Sequence, residues 1–169
     1  MKWIIFTGTW RLTNDEVEYD VRAAVRAVLL AGNGIVTGGA TGVDYFCMDE
    51  VLKLGKENSM RVIIPAKLDF FISDYYKNWM TDPITKADID KLSVVLKDFQ
   101  NKNPSGLLEI YHAGVDITQD DYDNRHDEEV VFSDEVYAFQ VNNSTGTQDT
   151  IDKAKASGLK ISLHKKYSI

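Results

Sequence analysis

Short apolar runs alternate along the chain with segments whose apolar residues recur every three or four positions. The run 3–7 is rich in β-favouring residues and ends at Gly8, which predicts a buried strand. The next segment repeats valine and alanine at helical spacing until Gly32, and Thr13 with Glu16 has the spacing of a capping box. The pattern therefore predicts a strand followed by an amphipathic helix.

The same alternation continues through the rest of the chain. Further strands are predicted at 35–37, 61–64, 135–141 and 159–163. Further helices are predicted at 43–54, 84–100, 122–131 and 147–156. Strands that alternate with helices form βαβ units, so we expect an α/β fold with an open, mainly parallel sheet and helices on both faces. The 169 residues fit a single domain of this kind.

The middle of the chain is less regular than the segments on either side. An insertion at about 67–114 adds a helical and aromatic segment, within which 107–112 fits either a strand or a short helix. Five aromatic residues mark its first part: Phe70, Phe71, Tyr75, Tyr76 and Trp79. They fit the inner face of an added helix, a lid that stacks a base, or a dimer contact. Packing is favoured, because aromatic stripes usually face a core.

Three turns rich in glycine, serine and threonine follow predicted strands. They span 7–9, 37–42 and 142–147, and the last two lead directly into helices. Glycine lets the backbone approach a ligand closely, and free amides at a helix N-terminus attract anions. In an open parallel sheet such turns meet at the carboxyl ends of the strands, where ligands bind. Together the three turns predict a cradle for phosphate.

Each turn also has a purely structural interpretation, because every βα turn needs glycine and capping residues. Thr41 and Asp44 have a capping-box-like spacing, and Thr147 is a candidate N-cap. The sequence contains neither the Gly-x-x-x-x-Gly-Lys-Ser/Thr motif nor a Gly-x-Gly-x-x-Gly motif after the first strand. It therefore disfavours a P-loop NTPase and an ordinary NAD dehydrogenase.

The acidic residues are concentrated in one stretch. The net charge is −7, and residues 109–149 hold eleven acidic residues but one basic residue, Arg125. Phosphate backbones are bound by clusters of lysine and arginine, so this charge disfavours nucleic acid as a partner. Cys47 is the one cysteine, which suits a reducing compartment. The apolar run at 3–7 is too short for a signal peptide, so we expect a cytoplasmic protein that does not bind a membrane.

The histidines and acidic residues match no familiar metal-binding motif. His112, His126 and His164 lack the spacing of zinc ligands. The acidic run 116–129 lacks the glycine that a calcium-binding loop needs at its sharp turn, and a solvated helix face explains it better. We therefore expect neither a metal ion nor a required cofactor.

Three segments resemble motifs of the SLOG superfamily, which includes DNA-processing protein A and the LOG nucleotide hydrolases. The segment 37–44, Thr-Gly-Gly-Ala-Thr-Gly-Val-Asp, resembles the glycine-rich signature of the superfamily. The segment 144–151, Ser-Thr-Gly-Thr-Gln-Asp-Thr-Ile, resembles the motif before its last helix. Asn124 and Arg125 resemble an Arg-Asn-type motif on the preceding helix. The chain is most similar to the uncharacterised phage and bacterial branch.

This resemblance covers about 2–65 and 120–163, and it implies a Rossmann-like fold that binds a nucleotide or a derivative of one. The turn at 37–42 would line the phosphate or ribose, the turn at 142–147 would face it, and Arg125 would be the charge partner of the phosphate. The candidate ligand-binding residues are Thr7, Gly8, Thr9, Gly38, Gly39, Ala40, Thr41, Gly42, Asn124, Arg125, Asn143, Ser144, Gly146 and Thr147.

The chain departs from the family pattern at positions that carry activity. LOG hydrolases resemble one another in a Gly-Gly-x-Gly-Thr-x-x-Glu motif whose glutamate serves N-glycosidic cleavage, and the aligned residue here is Thr150. Asn143 and Ser144 replace the leading glycine pair. DNA-processing protein A acts on single-stranded DNA, whereas this chain has no excess of positive charge.

The leading hypothesis is a sensor or carrier that binds a nucleotide-derived small molecule. The first alternative is an N-glycoside hydrolase acting on nucleoside phosphates, with Asp44 and Asp149 as candidate catalytic carboxylates and Asp127 and Glu128 as further candidates. The second alternative is an interaction module that forms a homodimer or a higher homo-oligomer through the insertion. Arg125 is expected to face the phosphate cradle, while the acidic residues around it face solvent.

Overall fold

The computed structural model describes residues 1–110, 112 and 114–169. Within these residues the strands are β1 (Trp3–Gly8), β2 (Gly34–Thr37), β3 (Met60–Ile64), β4 (Leu107–Glu109), β5 (Glu135–Val141) and β6 (Lys160–Tyr167). They form one sheet in the order β4–β3–β2–β1–β5–β6, and every neighbouring pair is parallel. This order places β1 in the middle of the sheet.

Helices connect the strands and cover both faces of the sheet. In the described part of the chain the α-helices are α1 (Asp15–Leu30), α2 (Val43–Lys53), α3 (Leu68–Asp74), α4 (Lys86–Lys102), α5 (Gln119–Val131) and α6 (Thr145–Ala156). Buried side chains of α1 to α4 belong to one hydrophobic cluster, and those of α5 and α6 belong to a second. A π-helical turn, Tyr75–Trp79, continues α3.

The central strand shows why the two clusters lie on opposite faces. Ile4 and Phe6 of β1 pack in the cluster of α1 to α4, whereas Ile5 between them packs in the cluster of α5 and α6. Successive side chains of a strand point to opposite faces, so an all-apolar strand fits a sheet that is covered on both sides. This burial on both faces explains why apolar residues follow one another in the run 3–7 instead of alternating with polar ones.

The predicted fold class is confirmed: the protein has a Rossmann-like α/β fold with an open parallel sheet. The chain builds the sheet outward from β1 through β2 and β3 to β4, and then returns to the other side of β1 to form β5 and β6. The connections that leave β1 and β5 thus diverge. Ligands of open α/β sheets bind at this switch point, outside the carboxyl ends of the strands.

Three predicted helix starts differ in detail from those observed. Asn14, and not Thr13, caps α1, because its Oδ1 accepts a hydrogen bond from the amide of Val17 at 3.0 Å. Gly42 precedes α2 without any side-chain cap, so Thr41 and Asp44 do not form a capping box. The last helix begins at Thr145, so Thr147 lies inside its first turn instead of capping it.

The insertion contains one short strand and packs largely into the core. Leu107–Glu109 forms β4, so the first part of 107–112 is a strand and not a helix. Tyr111 lies outside the described residues. Phe71 and Tyr75 are buried, in agreement with the packing interpretation of the aromatic residues. No helix among the described residues has the length and apolar character needed to cross a membrane.

Candidate functional site

A cavity opens at the carboxyl end of β1, where the connections diverge. It is bounded by the end of β1, the turn after β2, the π-helical turn, α5 and the first turn of α6. Its lining residues are Thr7, Gly8, Trp10, Ala40, Asp44, Tyr75, Trp79, Gln119, Tyr122, Arg125, His126, Glu129, Thr145 and Gly146. The sheet topology alone predicts a ligand site at this place.

Several of the predicted site residues meet in this cavity. Those that line it are Thr7, Gly8, Ala40, Asp44, Arg125 and Gly146. Gly38 lies behind them and uses its carbonyl oxygen to accept a hydrogen bond from Arg125. Gly39 has a φ of +71°, which favours glycine, and packs against Ile64 of the core.

The other predicted residues have other places. Thr41 and Gly42 line a neighbouring groove that shares Trp10 with the cavity. Asn124 and Asn143 are exposed and are not among the lining residues. Thr9 is buried, and its carbonyl oxygen accepts a hydrogen bond from the amide of Val43. Ser144 is the N-cap of α6, and the buried Thr147 donates a hydrogen bond to its hydroxyl at 3.2 Å.

The inner end of the cavity contains a buried charge cluster formed by Asp44, Arg125 and Glu129. Arg125 is 8% exposed, Asp44 is 7% exposed and Glu129 is 3% exposed. Nη1 of Arg125 lies 4.0 Å from Oδ2 of Asp44, and its Nε lies 3.6 Å from Oε1 of Glu129. Two carboxyl groups therefore flank one guanidinium.

Glu129 departs from the expectation that the acidic residues near Arg125 face solvent. It lies one helical turn after Arg125 on α5, on the side that faces the sheet, so the same packing buries both side chains. Burial raises the pKa of Glu129 to about 8, although Arg125 opposes this shift. The carboxyl group is therefore largely protonated at neutral pH.

Asp44 is held in place by the backbone of the glycine-rich turn. Its Oδ2 accepts a hydrogen bond from the amide of Ala40 at 3.0 Å, which bends the turn around the carboxylate. Burial raises its pKa, while Arg125 acts in the opposite direction. Asp44 therefore connects the turn after β2 with the buried charge cluster.

His126 and Asp149 form a relay that orients Arg125. Nη2 of Arg125 donates to Nε2 of His126 at 2.8 Å, so Nδ1 must carry the imidazole proton and donate to Oδ2 of Asp149 at 2.7 Å. Burial and the neighbouring Arg125 lower the pKa of His126 to about 4, in agreement with a neutral ring. Asp149 thus acts on the cavity through His126, and it is not a lining residue.

A metal ion does not fit the cluster of Asp123, His126 and Asp149. Their potential ligand atoms lie within 4.8 Å of one another. Both nitrogens of His126 are already used, however, by Arg125 and Asp149. Nζ of Lys153 lies 3.3 Å from Oδ2 of Asp149 and donates to the carbonyl oxygen of Asp123 at 2.7 Å. The ammonium group therefore already supplies the positive charge at this position.

The mouth of the cavity contains the N-terminus of α6. Ser144, the N-cap, makes no side-chain capping bond, and the first-turn amides of an α-helix have no partner within the helix. Thr145 and Gly146, in this first turn, line the cavity. A Cβ added to Gly146 would meet no atom within 4 Å, so packing does not require glycine there. This end of the cavity suits an anion.

An aromatic wall formed by Trp10, Trp79 and Tyr122 bounds another side of the cavity. The ring centroids of Trp10 and Trp79 are 5.2 Å apart, and those of Trp79 and Tyr122 are 6.0 Å apart, both in edge-to-face contact. Nε1 of Trp79 donates to Oδ2 of the buried Asp74 at 2.9 Å, which fixes the indole ring. A rigid aromatic surface of this kind can stack a nucleobase.

Stability should fall as the pH rises from 6.5 to 8, because of Glu129. Its pKa is 4.5 in the unfolded chain and about 8 in the folded protein. Between these two pH values the folded state binds more protons than the unfolded state, so the protein loses stability as the pH rises. His126 has the opposite effect, but only between about pH 4 and 6.5. Urea unfolding at pH 6.5 and pH 8 should show the decrease, and Glu129→Gln should remove it.

The control for this experiment is Glu128→Gln, which changes an exposed carboxylate next to Glu129 in the sequence. This variant should keep the same decrease between pH 6.5 and pH 8. The groups that face Glu129 and act on its pKa are Arg125, Asp44 and Lys153, none of which is altered. An undiminished decrease in Glu129→Gln would assign the pH dependence to another group.

Some lining residues were not predicted from the sequence. These are Trp10, Gln119, Tyr122, His126 and Glu129. Thr145 lay within the predicted turn 142–147, and Tyr75 and Trp79 were assigned to packing in preference to a base-stacking lid. For Glu129 a signal was present, because residues four positions apart on a helix are neighbours and Arg125 was already a candidate. For Tyr75 the sequence left both packing and a base-stacking lid open, and the side chain both packs in the core and lines the cavity.

Comparison with known proteins identifies relatives of the fold. No protein-family model and no curated protein matches the chain. DNA processing protein A from Helicobacter pylori, which has a unique single-stranded DNA binding mode, superposes with a TM-score of 0.67 at 20% identity, over 99% of this chain and 64% of that one. This chain therefore spans less than two thirds of that protein.

Two further solved structures share the architecture. TM1055, a structural genomics target, superposes with a TM-score of 0.55 at 16% identity, over 95% of this chain and 72% of that one. DNA processing protein A from Streptococcus pneumoniae has a TM-score of 0.51 at 15% identity, over 96% of this chain and 59% of that one. At these identities the likeness shows a shared fold.

The prediction that nucleic acid is disfavoured as a partner is wrong. It rested on the net charge of −7, yet a protein of the same fold binds single-stranded DNA. The net charge describes the whole chain, whereas binding of a single strand depends on the local groove and on aromatic side chains that stack bases. The acidity of this chain therefore excludes no class of nucleotide ligand.

Proposed function

We propose that the chain binds a nucleotide-derived small molecule in the cavity at the end of β1, as a sensor or carrier. The observation that carries this proposal is the pairing of two unlike surfaces in one cavity. The uncapped N-terminus of α6 suits a phosphate, and the aromatic wall suits a base. Both lie at the switch point of the sheet, where open α/β folds bind their ligands.

The phosphate is bound by the backbone of α6. The amides of Thr145 and Gly146 point out of the first turn of the helix, and the hydroxyl of Thr145 adds a donor at the exposed edge. The absence of a Cβ at Gly146 lets an oxygen atom approach the backbone closely. Arg125 adds positive electrostatic potential to the cavity, but its guanidinium already donates hydrogen bonds to Gly38 and His126.

The base stacks on the aromatic wall. Trp79 is held by Asp74 and is in contact with both Trp10 and Tyr122, so the surface is ordered before a ligand arrives. A prearranged surface reduces the entropic cost of binding. Every base has a π face, so stacking alone does not choose among bases and also accepts a nucleotide within a single strand.

A binding screen by thermal shift and calorimetry tests the proposal. The probes are nucleoside monophosphates, NAD, ADP-ribose, cyclic dinucleotides and a short single-stranded oligodeoxynucleotide. We expect at least one mononucleotide derivative to raise the melting temperature progressively as its concentration is increased. Stabilisation by the oligodeoxynucleotide alone would identify a strand-binding protein instead, and no stabilisation by any probe would overturn the proposal.

Gly146→Ala should separate binding from stability. The added methyl group meets no atom within 4 Å, and alanine favours a helix by up to about 1 kcal/mol over glycine, so the free protein should become slightly more stable. The same methyl group blocks close approach to the α6 amides, so affinity for the stabilising nucleotide should fall about tenfold or more.

Lys155→Ala is the control for this variant, because Lys155 is exposed in the last turn of the same helix. It should leave the affinity unchanged when measured by calorimetry under the same conditions. Unchanged affinity in Gly146→Ala would place the phosphate elsewhere in the cavity.

A further inference from the structure

We propose that the cavity selects ribonucleotides over 2′-deoxyribonucleotides, because Asp44 and Glu129 exchange hydrogen bonds with the ribose hydroxyls. This inference rests on the proposed nucleotide-binding function and specifies its substrate class. The inference is based on the polar groups at the inner end of the cavity and on the hydrogen bonds that they do or do not make.

The carboxyl group of Glu129 forms an ion pair with Arg125 but has no hydrogen-bond partner among the described residues. It is 3% exposed, it lines the cavity, and the hydrogen bonds of the described residues include none to its carboxyl group. Its nearest cationic atom is Nε of Arg125 at 3.6 Å, and that nitrogen is itself buried without a hydrogen-bond partner. Buried polar groups in folded proteins normally have hydrogen-bond partners, so a carboxyl group without a hydrogen bond beside an open cavity points to a ligand group.

The inner end of the cavity does not suit phosphate. The positive charge of Arg125 is shared by two carboxyl groups, Asp44 at 4.0 Å and Glu129 at 3.6 Å. A phosphate brought against Arg125 would therefore compete with both carboxyl groups for one guanidinium and would lie close to Asp44, with little water to screen the two negative charges. The phosphate belongs instead at the mouth, where Thr145 and Gly146 line the cavity and the first turn of α6 contains no acidic residue.

Hydroxyl groups fit the inner end well. A hydroxyl both donates and accepts, so it pairs with a carboxyl group in either protonation state. Asp44 lies 4.0 Å from Nη1 and Glu129 lies 3.6 Å from Nε of the same guanidinium, so adjacent hydroxyls of a ribose can address both. The protonation of Glu129 at neutral pH, caused by its burial, lets that group act as a donor as well.

The positions of these groups in the cavity define where each of the three parts of a nucleotide binds. Its phosphate lies at the exposed α6 N-terminus, its ribose faces the buried acids, and its base contacts the aromatic wall. Removing the 2′-hydroxyl leaves a buried carboxyl group without a partner, and sites built around a substrate hydroxyl discriminate strongly against the analogue that lacks it. We expect a preference of about tenfold or more for the ribonucleotide.

The test compares the four ribonucleoside 5′-monophosphates with their 2′-deoxy counterparts by calorimetry. Each ribonucleotide that binds should do so about tenfold or more tightly than its deoxy counterpart. Equal affinity within each pair would overturn this inference and leave the proposed function standing. Binding by none of the eight compounds, together with none in the wider screen, would overturn both.

A pair of variants assigns the preference to Glu129. Glu129→Leu keeps the approximate volume but removes hydrogen bonding, so the ribose preference should shrink towards one. Glu129→Gln keeps donor and acceptor groups and should retain most of the preference, and Glu128→Leu, at the exposed neighbouring position, should retain all of it. An unchanged preference in Glu129→Leu would remove Glu129 from ribose recognition.

The wild-type protein provides an independent check that does not depend on the folding of a variant. A 2′-O-methyl nucleotide keeps an acceptor oxygen but loses the donor and adds bulk. It should bind about as weakly as the deoxy compound. Binding of the 2′-O-methyl compound as tight as that of the ribonucleotide would contradict a buried ribose site.

Discussion

Arg125→Ala should lower the free energy of unfolding by about 3–5 kcal/mol, the usual effect of removing one partner from a buried ion pair. Asp44 and Glu129 would then share a buried space without a cation, and the carbonyl oxygen of Gly38 and Nε2 of His126 would lose their donor. Chemical denaturation at pH 7 measures the change. The expected loss is a large fraction of the stability of a typical domain.

Two comparisons make this experiment specific. Lys102→Ala removes an exposed lysine that pairs with Asp98 on the surface of α4, and it should leave the stability nearly unchanged. Asp44→Asn combined with Arg125→Ala should recover part of the loss, because it removes the carboxylate of Asp44 that is left without its cation. A small effect of Arg125→Ala together with no recovery in the double variant would show that the cluster is not a coupled ionic unit.

Gly42→Ala should be the most damaging single methyl substitution in the glycine-rich turn. Gly42 has a φ of +72°, and an added Cβ would clash with the carbonyl oxygen of Thr9 and lie 2.9 Å from Cα of Trp10. These are backbone atoms, which cannot rotate away. Conformational strain and overpacking together should cost about 3 kcal/mol. The turn also positions Asp44, so nucleotide binding should weaken as well.

Gly55→Ala is the matched control for Gly42→Ala. Gly55 also has a positive φ, of +62°, but an added Cβ would meet no atom within 4 Å. This variant therefore measures the conformational strain alone, which should be about 1 kcal/mol. Equal losses of unfolding free energy in the two variants, measured by urea denaturation, would show that the close approach of Gly42 to the backbone of Thr9 and Trp10 is unimportant.

The alternation of apolar strands with amphipathic helices was sufficient to predict the fold class. Buried parallel strands such as 3–7 and helices with one apolar face are periodic, local features, so they are visible without any knowledge of partners. The details of the helix ends were less predictable. Asn14, Gly42 and Ser144 begin their helices because of the paths of the preceding turns, which local spacing does not specify.

The candidate site was predictable where backbone conformation decides. Gly8 ends β1, Ala40 lies in the turn after β2 and Gly146 lies in the first turn of α6, and the topology of a parallel sheet brings these positions together. The aromatic wall was not predictable in this way. Trp10, Trp79 and Tyr122 come from three separate segments, and only the packing of the π-helical turn against α5 places them side by side.

The sequence by itself therefore determined the α/β architecture, the glycine-rich turns and the identity of Arg125 as the one basic residue in an acidic stretch. Only the tertiary structure decided that Glu129 is buried beside Arg125, and that Arg125 donates to Gly38, which lies 87 residues away along the chain. The reason is physical. Periodicity reports which face of an element is apolar, whereas the environment of a charged group depends on desolvation and on partners from other elements.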